Sequence, residues 1–187
     1  MFRDLLVKNR SIRKYDQSVA VSRETLLELV DLTRITNSAG NQQPLKYFIS
    51  HEKEMNAVIY KNIGLAGQPP EGERPSAYIL ILKDSILSGY GVPEVDCGIA
   101  AEVILLGATE NGLGGCMIGM INRRGLQKVL NIPDRYEIAL LLTIGKPKET
   151  HIFEVADSEK TNMSGWWDEQ GVRHIPKRRL KDIVINY

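Results

Sequence analysis

The run Ser76-Ala77-Tyr78-Ile79-Leu80-Ile81-Leu82 is apolar almost without interruption and rich in residues that favour extended backbone. At this length it reads as a buried strand. A second buried strand is expected from Ile138 to Ile144, closed by Gly145-Lys146-Pro147. Between them lies Pro93 to Asn111, which has Pro at the first helical position, Glu94 and Asp96 in the first turn, and Gly112 as a stop signal. This helix is apolar almost all round, with Val95, Ile99, Val103 and Leu106 on one side and Gly98, Ala101 and Leu105 on another. Such a helix is buried, its small residues permit close approach, and a partner subunit is one candidate to cover a face.

Upstream, Ser22 caps a helix that ends near Ile35, with Leu26, Leu29, Val30 and Thr33 at helical spacing. The carboxamide-rich stretch Asn37-Ser38-Ala39-Gly40-Asn41-Gln42-Gln43-Pro44 is a loop; Tyr47-Phe48-Ile49 reads as a strand and Glu52 to Lys61 as a modest helix. Six glycines and prolines between Gly64 and Pro75 exclude regular structure and suggest a linker or lid, and Lys83 to Gly91 is again turn-like. Downstream, Gly114 to Ile121 is a short strand and Asn122 caps a helix through Leu130. The last 40 residues show little periodicity, as in a tail that drapes over its own domain or a second subunit.

Composition bounds the alternatives. The 187 residues suit one domain, 1–187, with 150–187 as an extended C-terminal arm. With 43% hydrophobic and 25% charged residues the chain is globular, and its longest apolar runs are far short of the ~20 residues of a membrane span. A formal net charge of +1 selects neither nucleic acid nor an anionic membrane, so neither is expected as a partner. The two cysteines, Cys97 and Cys116, have no paired spacing, which fits a reducing cytoplasm. Charge is nonetheless polarised: Lys8, Arg10, Arg13 and Lys14 cluster near one end, and Arg173, Lys177, Arg178, Arg179 and Lys181 near the other. Each run, taken alone, reads as a solvated face.

In Arg10-Ser11-Ile12-Arg13 two guanidiniums bracket a hydroxyl, a set suited to phosphate oxygens. Together with the second basic cluster and the Asn37–Pro44 loop, it would serve a ligand carrying both a phosphate and a planar heterocycle. Three stretches, Arg10-Ser11-Ile12-Arg13-Lys14-Tyr15, Asn37 to Pro44, and Gly112-Leu113-Gly114-Gly115-Cys116-Met117-Ile118-Gly119, occur in an order and spacing that resemble the nitroreductase family of flavin-dependent oxidoreductases. The closing His174-Ile175-Pro176-Lys177-Arg178-Arg179-Leu180 is similar to the tail of many members.

The resemblance implies an α+β fold, a central and mostly antiparallel sheet flanked by helices, in an intertwined homodimer with FMN sites at the interface. It implies that Arg10, Ser11 and Arg13 hold the FMN phosphate and ribityl chain, with Arg13 also near the pyrimidine edge. Lys177 and Arg179 complete the phosphate site, Arg178 being the competing register. Ser38 and Asn41 contact the flavin from the neighbouring subunit, and the backbone at Ile118-Gly119 faces flavin N5, where a side chain would obstruct the ring. The chain departs from the family where Asn9, Asn37 and Leu45 stand in place of Arg, Pro and Trp; the first removes one phosphate contact.

Other constellations carry less. His51, His151 and His174 are scattered, without a carboxylate at ligand spacing, so no metal is expected. Cys116 reads as a small buried strand residue, not a nucleophile, and Trp166-Trp167 as an aromatic pair that buries itself on the domain. The activity implied is electron transfer from NAD(P)H through FMN to a small-molecule electron acceptor such as a nitroaromatic or quinone, in a ping-pong cycle that needs no side chain as catalytic acid or nucleophile. The alternatives are a specialised flavin enzyme of the same fold, an enone reductase, dehalogenase or flavin-cleaving enzyme, and a non-catalytic module that binds through its basic termini.

Overall fold

The computed structural model describes residues 2–64, 69–87, 92–157, 159 and 161–186. Contacts divide the chain into two compact units, Met1–Pro147 and Lys148–Tyr187.

In the first unit the elements run α1 (Phe2–Lys8), β1 (Tyr15–Asp16), α2 (Arg23–Thr33), β2 (Leu45–Ser50), α3 (Lys53–Tyr60), β3 (Ala77–Asp84), α4 (Pro93–Glu110), β4 (Gly114–Ile118), α5 (Arg123–Val129) and β5 (Tyr136–Pro147). One sheet of five strands has the order β1-β5-β3-β2, with β4 also paired to β5. Every pairing in it is antiparallel. Residues of β3 alternate between two cores. Ala77, Ile79 and Ile81 join a cluster with Leu26 and Leu29 of α2 and Ala101, Ile104 and Leu105 of α4. Tyr78, Leu80 and Leu82 join a second cluster with Ile59 of α3 and Leu126 of α5. Because successive strand side chains point to opposite faces, a strand covered on both sides reads as the continuous apolar run seen at Tyr78–Leu82. Each such fully buried aliphatic side chain contributes roughly 1.5–3 kcal/mol.

Local signals act as expected at two helix starts. Ser22 Oγ accepts the Thr25 N–H at 3.1 Å, and Asn122 Oδ1 accepts the Gly125 N–H at 3.0 Å. Asp84, fully buried at the end of β3, is gripped by the Arg135 fork with both N···O distances at 2.8 Å, which holds its carboxyl below the usual range. On α4, Cys97, Ala100, Ala101, Ile104 and Leu105 are buried, whereas Val95 is 54% exposed. Ile99, Val103 and Leu106 are only half-buried. No helix among the described residues is long and apolar enough to cross a membrane.

Three expectations need correction. Gly145-Lys146-Pro147 does not close β5, because Lys146 and Pro147 pair with Asp16 and Tyr15 of β1. The strand expected over Gly114–Ile121 stops at Ile118. The tail is not patternless: the second unit holds β6 (Thr150–Val155), β7 (Trp166–Trp167) and β8 (Val172–Lys177), with β6 parallel and β7 antiparallel to β8. These strands are short and largely uncovered, so hydrophobic alternation does not announce them. Of the expected 64–75 linker, residues 65–68 lie outside the described residues, as do 88–91 of the turn after β3.

Candidate cofactor site

The N-terminal segment reaches the sheet through an isolated bridge in which Ser11 pairs in parallel with Gly115 and the Ile12 N–H donates to Gly115 O at 2.9 Å. Glycine is required at this crossing. A Cβ on Gly115 would sit 2.2 Å from the Thr143 carbonyl oxygen and 2.5 Å from Leu105 Cδ2, and one on Gly114 would meet Ile12 Cγ1 at 2.8 Å. The bridge leaves Ser11 and Arg13 exposed beside the start of β4 while Ile12 is buried. Arg13 Nη1 donates to Ser11 O at 3.2 Å. Arg10 turns back on α1, donating to the carbonyls of Leu6 and Val7 at the helix end. Partial burial lowers its pKa and nearby Glu102 raises it. Asn9 donates to Glu102 Oε1 at 2.9 Å and ties the segment to α4.

At the other end of β4, Ile118 is buried and pairs with Leu141. The next residue opens outward. Gly119 is exposed and a Cβ there would meet nothing within 4 Å, while Met117 and Met120 beside it are 37% and 63% exposed. The turn is fixed from two sides: Arg123 donates to Gly119 O, Ile138 O and Ala139 O at 3.0–3.2 Å, and the Gly64 N–H donates to Met120 O at 2.8 Å. Rigid bare backbone at the end of a buried strand, flanked by two thioethers, suits the flat apolar surface of an isoalloxazine. The residues present therefore fit FMN. Cys116 is buried in β4, its N–H donating to Thr143 Oγ1 at 3.0 Å.

The carboxamide loop is anchored elsewhere, by Asp96 in the first turn of α4. Ser38 Oγ donates to Asp96 Oδ2 at 2.6 Å, the Ala39 N–H donates to Oδ1 at 3.1 Å, and Ser38 Oγ accepts the Gln43 N–H at 2.9 Å. These bonds leave the Ser38 hydroxyl one free lone pair. They also hold Asn41 and Gln43 at φ of 55° and 49°, a left-handed conformation uncommon outside glycine. The exposed Asn41 accepts from Gln43 Nε2 at 3.0 Å. A cavity of about 220 Å3 lies beside the loop, lined by Asn37, Ser38, Tyr47 and Asp96 among others.

Ser11 and Arg13 thus stand beside the start of β4 and Ile118 and Gly119 at its end, with Arg10 folded onto the end of α1, whereas Ser38 is tied to the first turn of α4 and Asn41 follows it in the loop. Lys177, at the end of β8, and Arg179 are exposed in the second unit. Sequence reasoning missed Asp96 and Glu102 as anchors, and Arg123 as the clamp on Gly119. His174 finds partners that its sequence neighbourhood does not announce: it bonds Glu154 at 2.5 Å through Nδ1 and Asp168 at 2.9 Å through Nε2. The Asp168 bond first and the Glu154 bond second raise its pKa. No cluster of three or more His, Cys, Asp or Glu suited to a metal occurs among the described residues. Trp166 and Trp167 do not bury themselves; they are 41% and 42% exposed, Trp166 stacked on His174 with centroids 4.9 Å apart.

The nitroreductase family model matches residues 6–82 and 73–146. A protein of Archaeoglobus fulgidus, named for NADH dehydrogenase or NAD(P)H nitroreductase activity, is 28% identical over 159 residues, covering 82% of this chain and 89% of that one. A nitroreductase family protein of Clostridium novyi superposes with a TM-score of 0.68 at 28% identity, covering 79% of this chain and 87% of its own. An FMN-dependent nitroreductase of Clostridium difficile superposes with a TM-score of 0.67 at 25% identity, over 78% and 87% of the two chains. With the family model spanning β1 to β5 and relatives alike in both sequence and fold, the chain belongs to the nitroreductase family of oxidoreductases.

Proposed function

We propose that the protein is an FMN-dependent oxidoreductase that moves electrons from NAD(P)H to a small electrophile such as a nitroaromatic or quinone, working as a homodimer. The observation that carries this reading is the Ser11–Gly115 bridge, which sets a basic segment at one end of β4 while the other end presents the open backbone of Gly119. One short strand thereby links a phosphate-type donor set to a surface for a flat ring. Relatives named for NAD(P)H nitroreductase activity and for FMN dependence support the same assignment.

When bound, FMN supplies the redox chemistry, accepting hydride from the nicotinamide and returning electrons to the second substrate. The protein's own residues bind and orient. Ser11 and Arg13 offer a hydroxyl and a guanidinium to phosphate and ribityl oxygens, with Lys177 and Arg179 as further cations for the phosphate. Arg10 contributes positive charge from its seat on α1. Arg13 also offsets negative charge that develops in the heterocycle, a preorganised electrostatic effect. Ile118 and Gly119 leave one face unobstructed. Ser38 and Asn41 are assigned to the site of a second copy, and the incompletely buried face of α4, from Val95 to Leu106, to the contact between copies.

Flavin analysis of the purified chain tests the reading. A yellow protein that releases FMN and is bleached anaerobically by NADH or NADPH is expected; a colourless protein, or one releasing FAD, would contradict it.

A further inference from the structure

A cavity of about 450 Å3 runs along the face of α3 that carries Lys53, Asn56, Ala57 and Tyr60, and it is closed by parts of segments 17–20 and 71–78. None of the residues assigned to FMN lines it. Most polar groups around it already have partners: Asn56 Nδ2 donates to Ser76 O at 2.7 Å, Ser76 Oγ to Val19 O at 2.8 Å, and the Tyr60 hydroxyl to Pro69 O at 2.9 Å. Arg74 lies over the Tyr60 ring, 4.5 Å from its centroid, and its Nε is buried without a hydrogen-bond partner among the described residues. Tyr78 lines the same cavity at 1% exposure.

Buried polar groups are paired in folded proteins, and an unpaired one costs about 1–3 kcal/mol. A buried, unpaired guanidinium N–H beside a cavity therefore calls for an acceptor. Burial raises the Tyr78 phenol well above its usual value, so it remains an O–H donor throughout the physiological range. Charge favours an anion: Lys53 and Arg74 face the cavity against one carboxylate, Glu71, while His51 lies 3.3 Å from Glu52. Ala20, Ala57 and Pro75 add an apolar wall.

We propose that this cavity is a binding site for a small organic carboxylate, its oxygens accepting from Arg74 Nε–H and Tyr78 O–H and its apolar body lying against Ala20, Ala57 and Pro75. The guanidinium edge matches a planar carboxylate, and the volume falls within the range of small-molecule sites. Inorganic phosphate, which has no apolar body, is the natural comparison.

The test is a titration of the full chain as purified with sodium benzoate, followed through the arginine Nε–H signals in 15N NMR spectra. The Arg74 signal, assigned by its loss in Arg74→Lys, is expected to shift saturably. Loss of one neutral hydrogen bond in Tyr78→Phe should weaken benzoate about fivefold by the same signal, and Arg74→Lys, which removes the Nε–H and its signal and is therefore titrated by calorimetry, at least tenfold. Phosphate should bind at least tenfold more weakly than benzoate. Unchanged flavin content in Tyr78→Phe shows that the fold is retained. Absence of saturable binding up to tens of millimolar would mean that the cavity holds only water and would overturn the proposal. So would benzoate binding that both variants leave intact, or that registers only as a change in flavin absorbance. The Arg74 signal reports on the cavity alone, so failure here is distinguishable from failure of the FMN assignment.

Discussion

Ser38 and Asp96, 58 residues apart in sequence, are joined by a 2.6 Å hydrogen bond from hydroxyl to carboxylate. With the second carboxylate oxygen taken by the Ala39 N–H, Asp96 fixes both the loop and its left-handed turns to the first turn of α4.

Asp96→Ala should therefore destabilise the protein by about 2–3 kcal/mol, since it removes two bonds to a buried charged group. Asp96→Asn, which keeps one acceptor, should cost less. Urea unfolding measures both, and an unchanged midpoint in Asp96→Ala would show that the loop is held by other contacts.

The two glycines near the ends of β4 should respond in opposite ways. Gly115→Ala forces a Cβ to 2.2 Å from a backbone carbonyl and should cost about 3 kcal/mol in the flavin-free protein. A Cβ at Gly119 meets nothing within 4 Å and the position is exposed, so Gly119→Val should leave flavin-free stability within about 0.5 kcal/mol. Its effect should fall on FMN, with affinity reduced at least tenfold because the side chain occupies the ring's position. Equilibrium unfolding and flavin titration separate the two.

Arg13 and Arg10 divide similarly. Arg13→Ala removes an exposed guanidinium, so FMN affinity should fall about tenfold or more, with the stability change of an ordinary surface substitution, within about 0.5 kcal/mol. Arg10→Ala also removes the cap on the Leu6 and Val7 carbonyls and should cost roughly 1 kcal/mol of stability besides. Combining it with Lys177→Ala should weaken FMN at least 100-fold, and wild-type affinity in the double variant would refute the phosphate assignment.

What the sequence made legible is what short-range pattern encodes. The runs in β3 and β5, the Ser22 and Asn122 caps and the stop at Gly112 each act within a few residues, and α2 to α5 follow from such signals, whereas the two-residue strand β1 is formed by its pairing with β5. Gly119 was marked by the resemblance to the nitroreductase family, and the absence of a side chain gave that assignment a physical reason. Pairings across the chain left no local trace. Asp96 looked like an ordinary first-turn acid, and nothing near His174 pointed to a partner 20 residues upstream. The β6–β8 pairing is parallel, partly exposed and punctuated by Pro176, so neither alternation nor a turn signal marked it.

His174 makes the second unit sensitive to pH. Its pKa is raised by Asp168 and then Glu154, so its stabilising contribution is fully present below the ordinary value of 6.5 and is lost as pH rises through the raised value. Asp168 is lowered, chiefly by His174, so its share is present above the usual carboxylate value and lost as pH falls through the depressed one. Both tryptophans of the chain lie in this unit, so their fluorescence reports its unfolding. The urea midpoint of that signal should decline on the alkaline side, and His174→Gln should flatten the decline; an unaltered profile in the variant would assign the effect to another group.

The most direct measurement is the initial-rate pattern of the FMN-loaded protein, with NADH or NADPH varied at several fixed concentrations of a quinone or nitroaromatic. One open face at Gly119 requires donor and acceptor to alternate, so double-reciprocal plots should give parallel lines. Intersecting lines would mean that both substrates bind together and would contradict the single-face site, and oxidation of neither NADH nor NADPH would contradict the oxidoreductase assignment.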